Sequence, residues 1–431
     1  MLRAPAMQDL SVELSAAART IARALGTAGH RAWIVGGAPR DLALRRAVLE
    51  IDMASSARPE EVEALFDATF PAGRAFGTVV VRAGGIDVQH TTFRSEHGFT
   101  DARHPDHVGF GATPEEDSRR RDFTCNALYL DPLDDTLLDP QGGLADLSAG
   151  RLACVGDPRR RFQEDGLRLL RMGRFAARAN LELAPGVLDA ARQSLDALRG
   201  VSPERVLGEL EKLFECDAPA HGVAILCDAQ VLPRCLPAAL THDHVRAGVC
   251  ARAPVFEHLR APGAALGFAA LLGAVDGGDD DVRETVLGAL QALRASRALQ
   301  RRVGGILAIA RELARATSRA RSRGERVQLL RDVDFAAALL LASAWSEVGA
   351  ADSRAVTEWR DEHARTTVAE LRPVPFVTAE DLARTTLPHG PRWGSILREA
   401  ETLQLDGTLA TRADALTWLD RRVGDATPPA R

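Results

Sequence analysis

One change of pattern, near Asp157, constrains the fold of this chain more than any other feature. Before it, short runs of β-branched residues alternate with helical stretches such as residues 12–25, which predicts an α+β or α/β module. After it, stretches rich in Ala, Leu and Arg follow one another, separated by Pro-Gly and Asp-Gly breaks and without an alternating strand pattern. We therefore predict a small mixed head, a sheet with helices, followed by an all-α remainder. The predicted strands are residues 32–35, 78–82, 85–88 and 128–130.

The length allows several domains, since 431 residues exceed what a single core usually contains. Breaks in the helical pattern place the boundaries near residues 150, 220 and 330. We predict four segments: a head over 1–150, a helical neck over 151–220, a helical body over 221–330 and a helical tail over 331–431.

The composition is that of an ordinary globular protein, with 46% hydrophobic and 26% charged residues. No uncharged apolar run is long enough to span a membrane, and residues 1–10 lack the layout of a secretory signal, so we expect a cytoplasmic protein with no membrane partner. The six cysteines form no C-x-x-C pair, which favours reduced packing residues over a zinc site. The net charge of −5 leaves nucleic-acid binding open, because local arginine clusters can still bind phosphates.

Two features in the first third of the chain point to phosphate chemistry. Gly36 and Gly37 follow an apolar strand and precede a helical stretch, so their backbone N–H groups can hold a phosphate. Glu50 and Asp52 stand at i and i+2, on one face of a strand. Two-metal phosphoryl transfer requires paired acids of this kind, since shared oxygen ligands hold the two Mg²⁺ ions. The alternative for this acid pair is the solvated face of an edge strand.

A longer series of motifs covers roughly residues 30 to 180. This series resembles the class II tRNA nucleotidyltransferase and bacterial poly(A) polymerase family in both order and spacing. Its members are the Gly36-Gly37 turn, the Glu50-x-Asp52 strand, Phe76-Gly77-Thr78, Thr91 to Arg94, Arg103-His104-Pro105, Asp117 to Ala127, Asp139 to Gly143, and Arg161 to Ala176.

The resemblance implies a DNA polymerase β-like nucleotidyltransferase head and a role for several residues. Gly36, Gly37 and Arg40 would hold the triphosphate, and Glu50 and Asp52 would hold two Mg²⁺ ions, for which Mn²⁺ can substitute. Other members of the motifs would bind the nucleotide, with Asp122 near the ribose hydroxyls. This last group comprises Arg121, Asp122, Asn126, Arg171 and Arg174.

The segment Glu164-Asp165-x-x-Arg168 resembles the family's protein template, in which an acid and an arginine hydrogen-bond the base edge of ATP or CTP. Asp165 and Arg168 are i and i+3, so we expect them to be neighbours on one helix, offering an acceptor beside a donor fork. The alternative is an ordinary ion pair on a helix surface.

Two positions depart from the family pattern. Glu50 stands where the family normally has Asp, and the extra methylene moves the carboxylate outward by about 1 Å in a site where Mg²⁺ tolerates little error. Gln89 stands where the family usually has Glu; Asp87, two residues earlier on the same strand face, is the expected substitute. These departures keep open a catalytically weakened or inactive relative.

The helical remainder offers fewer candidates. Gly273 and Ala274 occupy the places of the His-Asp pair that some relatives use for phosphohydrolase chemistry, so we expect no such metal site. His242-Asp243-His244 is expected to be an exposed turn. The arginines between 315 and 326 could bind RNA phosphates or form a solvated helix end. Residues 380–407 resemble the C-terminal segment of long family members.

The resemblance implies a template-independent enzyme that builds or repairs the 3′ CCA end of tRNA from CTP and ATP. Poly(A), A-only or CC-only addition is the alternative within the family, and residues 95–110 are expected to govern the change from C to A. A non-catalytic RNA-binding relative is the alternative from another class.

Overall fold

The computed structural model describes residues 4–74, 77–97, 107–236, 248–273, 279–315 and 321–424. The chain divides into two compact units, Met1–Ala264 with Gly288–Ala295 and Ala265–Leu287 with Ser296–Arg431. The mixed head and helical remainder that the pattern predicts are confirmed. The finer division at residues 150, 220 and 330 stays a prediction.

A seven-stranded mixed sheet organises the head among the described residues, in the order β3-β4-β5-β2-β1-β8-β9. Its centre pairs β2 with β1 antiparallel and with β5 parallel. The four predicted strands are all present, within a few residues. The strands of the described chain are β1 (Trp33–Val35), β2 (Asp52–Ser55), β3 (Thr69–Pro71), β4 (Thr78–Ala83), β5 (Ile86–Thr92), β6 (Arg94–His97), β7 (His107–Phe110), β8 (Tyr129–Leu130), β9 (Leu137–Leu138), β10 (Arg151–Leu152) and β11 (Glu182–Leu183).

The first helix forms where its periodicity predicts it. α1 (Val12–Thr27) begins at Ser11, whose side chain accepts a hydrogen bond from the Leu14 backbone N–H over 3.2 Å. Its buried positions recur at helical spacing and pack into the core that the sheet and helix share. Burial of this apolar face holds the helix to the sheet.

Helices make up most of the described chain beyond the head. Those of the first unit that position the site are α2 (Gly37–Ala43), α3 (Pro59–Leu65), α4 (Pro114–Ser118), α5 (Gly143–Ser148), α6 (Pro158–Glu164), α7 (Leu167–Ala179), α8 (Val187–Gln193), α9 (Pro203–Phe214), α10 (Pro219–Asp228) and α11 (Val231–Cys235). Further helices are Gly263–Leu272, Asp279–Ala292, Arg297–Leu313, Arg323–Leu330, Phe335–Glu347, Ser353–Arg365, Val368–Leu371, Ala379–Ala383, Pro391–Leu405 and Arg412–Gly424.

Two short strands lie in the neck, residues 151–220, where the sequence predicts helices alone. β11 pairs in parallel with β10, with Arg151 opposite Glu182 and Leu152 opposite Leu183. A two-residue strand is too short to show an alternating pattern, so periodicity cannot reveal it. The remainder of the neck is helical as predicted.

The arginines near residue 320 have acidic partners within the second unit. Arg319 and the His242-Asp243-His244 cluster lie outside the described residues. The ion pairs of this arginine stretch are Arg321 with Glu312, Arg323 with Glu370, and Arg326 with Glu362. The acidic side chains in these ion pairs neutralise the charge of arginines that the sequence predicted as possible ligands of RNA phosphates.

The structure also bears on two other sequence expectations, which concern membrane-spanning segments and the state of the cysteines. No helix of the described chain is long and apolar enough to cross a membrane. All six cysteines are free, and four of them are buried, namely Cys125, Cys154, Cys216 and Cys227.

Candidate active site

The glycine turn lies against one of the paired acids. β1 ends at Val35, which is opposite Asp52 in the antiparallel pairing with β2, and α2 begins two residues later. Gly36 has φ +74° and ψ −120°, a conformation that residues with a side chain rarely adopt. A Cβ on Gly36 would lie 3.6 Å from Oδ2 of Asp52. The turn therefore presents bare backbone beside this carboxylate.

The two acids share the wall of an open cleft of about 970 Å³. The expectation that both acids lie on one strand is wrong for Glu50: β2 begins at Asp52, and Glu50 lies two residues before it. Desolvation by the surrounding protein and the charge of Glu50 raise the pKa of Asp52 to about 6, although Arg121 opposes the shift and the residue remains open to the cleft. A divalent cation with oxygen ligands fits such an under-compensated acid pair. Within the described ranges, no cluster of three or more His, Cys, Asp or Glu suited to a metal occurs.

Asp87 is not brought into this cleft, which corrects the expectation that it supplies a third acid. Its two carboxylate oxygens accept hydrogen bonds from Nε and Nη2 of Arg82 over 2.6 and 2.8 Å, on the exposed part of the β4–β5 hairpin. Gln89 lines the cleft and lies opposite Asp52 in the pairing of β2 with β5. Asp87 has the correct strand face, but it lies two residues too far along the strand.

Arg40 is a buried part of the cleft wall. Its Nη1 donates to Oδ1 of Asn126 over 2.6 Å, and its Nε donates to Oδ1 of Asp41 over 2.9 Å. The other oxygen of Asp41 accepts from Nη2 of Arg178 over 2.9 Å. This network ties α2 to the 3-10 turn at Asn126 and to α7.

Arg121 is anchored below the cleft by Asp117 and Tyr129. Its Nε donates to the Tyr129 hydroxyl over 2.9 Å and its Nη2 to Oδ2 of Asp117 over 3.0 Å. Burial opposes ionisation of Asp117, yet Arg121 and Arg120 hold the pKa of this carboxyl at about 2. The guanidinium therefore stays fixed and charged, with part of its surface on the cleft.

Asp122 joins Asn126 and the arginines of α7. Oδ1 of Asp122 accepts from Nδ2 of Asn126 over 3.1 Å, and Oδ2 accepts from Nε of Arg171 over 2.7 Å. Burial would raise the pKa of Asp122, but Arg171 and Asn126 hold it well below its usual range. Glu209 orients the arginines from α9, since its Oε2 accepts from Nε of Arg174 over 2.6 Å.

Asp165 and Arg168 both line the cleft, but they are not on one helix. α6 ends at Glu164, Asp165 is extended, and α7 begins at Leu167. The break occurs at Asp165, and a Cβ on the next residue, Gly166, would lie 2.2 Å from the Ala197 carbonyl oxygen. The two side chains have different partners. Nη1 of Arg168 donates to Oε2 of Glu164 over 2.9 Å, whereas Oδ2 of Asp165 accepts from Nη2 of Arg205 over 2.8 Å.

Twelve of the predicted residues thus line one cleft within the first unit: Gly36, Gly37, Arg40, Glu50, Asp52, Arg121, Asp122, Asn126, Asp165, Arg168, Arg171 and Arg174. Arg178 and Arg205 also line it and were not predicted. The spacing of arginines along α7 could have revealed Arg178, since it continues the helical face of Arg171 and Arg174. Arg205 lies 40 residues beyond Asp165, and no local pattern marks it.

The arrangement suits a nucleotide triphosphate. Asp52 lies beside the glycine turn, and a row of arginines on α7 lines the same cleft. Arginine binds phosphate through paired donors, and an acceptor such as Asp165 can recognise a base edge.

Comparisons with known proteins agree with this geometry. Residues 32–153 match the model of the Poly A polymerase head domain, and residues 180–241 match the probable RNA and SrmB-binding site of polymerase A. The CCA-adding enzyme of Levilactobacillus brevis is 41% identical over 209 residues, which are 48% of this chain and 52% of that protein. That of Limosilactobacillus fermentum is 40% identical over 218 residues, 51% of this chain and 54% of that protein. The chain spans about half the length of these curated relatives.

Solved structures extend the similarity of fold to nearly the whole chain. The Bacillus stearothermophilus CCA-adding enzyme in complex with CTP superposes with a TM-score of 0.73 at 25% identity, covering 97% of this chain and 99% of that one. The Thermotoga maritima CCA-adding enzyme complexed with tRNA shares the fold, with a TM-score of 0.61 at 18% identity and 94% coverage of both chains. The head, the helical neck and the motif residues gathered in one cleft agree with these comparisons: over residues 32–153 and 180–241 this chain is similar to the Poly A polymerase head domain and its RNA-binding segment, and over nearly its whole length it has the fold of the Bacillus stearothermophilus CCA-adding enzyme.

Proposed function

We propose that this protein is a template-independent nucleotidyltransferase that builds or repairs the 3′ CCA end of tRNA from CTP and ATP. One observation carries the proposal: the Glu50/Asp52 acid pair, the α7 arginines and the base-edge candidates Asp165 and Arg168 line the same cleft. Relatives named CCA-adding enzymes, one of them solved with CTP and another with tRNA, support this assignment. A cytoplasmic location is part of the proposal, because tRNA is processed there in bacteria.

The acid pair fits Mg²⁺, which is the metal that we propose for the site. Glu50 and Asp52 provide hard oxygen ligands, and the raised pKa of Asp52 reflects a negative site that lacks sufficient positive charge. Two protein carboxylates suffice, since Mg²⁺ commonly completes its shell with water and substrate phosphates. When bound, such ions stabilise the negative charge that develops on the attacking and leaving oxygens. Mn²⁺ is the expected substitute.

The residues of the chain would position both substrates. Arg171 and Arg174, oriented by Asp122 and Glu209, would bind the triphosphate, and the bare turn at Gly36 leaves space for phosphate near Asp52. Asp165 would accept a hydrogen bond from the exocyclic amine of C or A. The RNA 3′-hydroxyl then attacks the α-phosphorus, the bond to the β-phosphate breaks, and pyrophosphate leaves.

Single-nucleotide addition to defined RNAs tests the proposal. The full chain is supplied with tRNA transcripts that end before the first C, after one C and after two C's, with each nucleotide alone and with Mg²⁺ or Mn²⁺. Ordered addition of C, C and A, followed by a stop, is the expected result. The Asp52→Asn variant is the matched control and should add nothing.

Other outcomes identify the alternatives. Runs of A on any RNA would indicate a poly(A) polymerase, whereas addition of A alone to the CC end, or of C's alone, would indicate a partial enzyme. Binding of tRNA without any addition would indicate a non-catalytic relative.

A further inference from the structure

Two cysteines from different parts of the first unit meet in a cavity outside the nucleotide cleft. Cys227 lies near the end of α10 and is buried, whereas Cys250 lies in a helical turn over residues 248–251 and is partly exposed. Both line an open cavity of about 460 Å³, together with Arg192 and Asp228. Neither cysteine belongs to a motif that the proposed function uses.

The two thiols are in direct contact. The Cys227 thiol donates a hydrogen bond to the Cys250 sulfur, and both cysteines are free. A disulfide can form only between cysteine side chains that point toward each other. The shared hydrogen bond and the shared cavity show that these two side chains do so.

The surrounding packing holds the two thiols in this position. α10 lies very close to α7, since a Cβ on Gly222 would be 2.4 Å from the Gly173 carbonyl oxygen. The chain just beyond the second thiol forms a 3-10 helix, whose Phe256 stacks on Phe214 of α9 with ring centroids 5.6 Å apart. Because α7 and α9 themselves pack together, both thiols are fixed on one helical framework. A bond between them therefore needs little movement of the backbone.

The two thiols differ in the way that an attacking and a resolving thiol differ. The hydrogen bond from Cys227 lowers the pKa of Cys250, although burial opposes this shift, so the more exposed sulfur is the better nucleophile. The same hydrogen bond, together with burial, raises the pKa of Cys227. The hydrogen bond ends once the Cys250 sulfur carries a covalent group, and the Cys227 thiol is then released to react.

A metal site is the other arrangement that neighbouring cysteines can form. Within the part of the chain that the structure describes, no group of three or more His, Cys, Asp or Glu could hold a metal ion. Sγ of the nearby Cys235 donates to the Leu232 carbonyl oxygen over 3.5 Å. The contact between two thiols therefore suits redox chemistry, which needs only two sulfurs.

We propose that Cys227 and Cys250 are a redox-sensitive pair that forms a reversible disulfide when the chain meets a low-molecular-weight disulfide such as oxidised glutathione. The Cys250 thiolate attacks one sulfur of the small disulfide and expels the other as a thiolate. Cys227 then loses its proton and attacks the Cys250 sulfur, which expels the second small thiolate. The two protein thiols thus supply two electrons and two protons, and the small disulfide becomes two thiols. An excess of small thiol reverses both steps.

Treatment of the full chain with oxidised glutathione tests the proposal. The intact mass should fall by the mass of two hydrogen atoms, peptide mapping should find Cys227 linked to Cys250, and dithiothreitol should restore the original mass. Cys250→Ser should form no such link. Cys235→Ser, at the neighbouring cysteine, is the matched control and should form the link as the wild type does. Because the bridge closes a loop in the unfolded chain, the midpoint of thermal unfolding should rise by about 5 °C over that of the reduced chain.

Several results would overturn the proposal. They are an unchanged mass, a glutathione group that stays on Cys250, a link that includes Cys235, and a bridge that fails to raise the midpoint, which would show that the native positions of the thiols do not suit the bond. The wild-type chain supplies the main measurement, so the test does not depend on the folding of a variant. None of these readouts uses nucleotide addition, so the outcome is independent of the proposed function.

Discussion

Asp52 lies directly opposite Gln89 in the parallel pairing of β2 with β5. Both side chains line the cleft, whereas Asp87 is held by Arg82 on the exposed hairpin. The position next to the acid pair, where the resemblance predicts Glu, is therefore occupied by an amide, and no other acid takes its place among the described residues.

Gln89→Glu should place a third carboxylate beside Asp52. We expect tighter binding of the activating metal, seen as a lower Mg²⁺ concentration for half-maximal nucleotide addition, because a third anionic ligand strengthens a hard-cation site. Asp87→Asn is the matched control on the same strand and should keep activity near the wild-type value. Loss of activity in Asp87→Asn alone would contradict the placement of that residue outside the cleft.

Asp52→Asn should abolish nucleotide addition and slightly stabilise the metal-free protein. Because the folded protein raises the pKa of Asp52 to about 6, ionisation of this group opposes folding at neutral pH. Asn removes that charge with little change in volume. The gain should be at most about 1 kcal/mol, since the carboxylate is open to water in the cleft. Thermal unfolding without divalent ions measures it, and a lower midpoint in the variant would contradict the prediction.

Glu50→Asp should keep or raise the rate of nucleotide addition. Glu50 lies before β2 begins, where the chain is not restrained by the sheet ladder, so a shorter acid can still approach the metal. Single-turnover addition of C to a tRNA transcript measures the rate, and Glu50→Gln, which loses the charge, is the inactive control. A loss of about a hundredfold in Glu50→Asp would show that the site is built around the longer acid.

His90 should make folding stability sensitive to mild acid. It is buried on β5, with Nε2 in a 2.8 Å hydrogen bond to the Ser55 hydroxyl and no partner at Nδ1. Burial, with a smaller effect of His30, lowers its pKa from 6.5 to about 4. The unfolded chain therefore binds a proton between these values while the folded chain does not, so stability falls as the pH falls from 6.5 to 4.

Urea unfolding at a series of pH values measures this effect. His90 should account for a loss on the order of 3 kcal/mol across the window, so His90→Asn should show a flatter profile. His389→Asn, at an exposed histidine of the second unit, is the control and should retain the wild-type slope. Identical slopes for wild type and His90→Asn would contradict the assignment.

The body should show no phosphodiesterase or phosphatase activity, even with added Ni²⁺ or Mn²⁺. A Cβ on Gly273 would lie 2.2 Å from Cδ2 of Leu307 and 2.5 Å from the Ala269 carbonyl oxygen, so a larger side chain such as a metal-binding histidine does not fit there. Ala274 lies outside the described residues. Hydrolysis of a 2′,3′-cyclic nucleotide measures the activity, and hydrolysis that copurifies with the chain would contradict this expectation.

Local pattern was sufficient for the strands of the head, the glycine turn and the Glu50/Asp52 pair, whereas the other cleft residues were predicted from the resemblance of the motif series. The locally predicted features depend only on residues that are close together in the sequence. They include strand alternation, the glycine turn and the Glu50/Asp52 spacing, so they can be predicted without the rest of the fold. The motif series then named twelve residues that the structure brings to one cleft. Helix periodicity likewise located α1, although the predicted helix, residues 12–25, ends two residues before the observed one.

Tertiary contacts decided which of these side chains face the cleft and which are bound by other residues of the protein. Asp87 and Gln89 share a strand face. The pairing of β5 with β2 places Gln89 opposite Asp52 at the cleft, and the pairing of β5 with β4 places Asp87 opposite Arg82. Asp165 and Arg168 have helical spacing, but the extended backbone of Asp165 separates the end of α6 from the start of α7. Arg205 reaches Asp165 from another helix. Sequence spacing reports neighbours along the chain, whereas hydrogen-bond partners across helices and strands depend on packing, which only the folded chain determines.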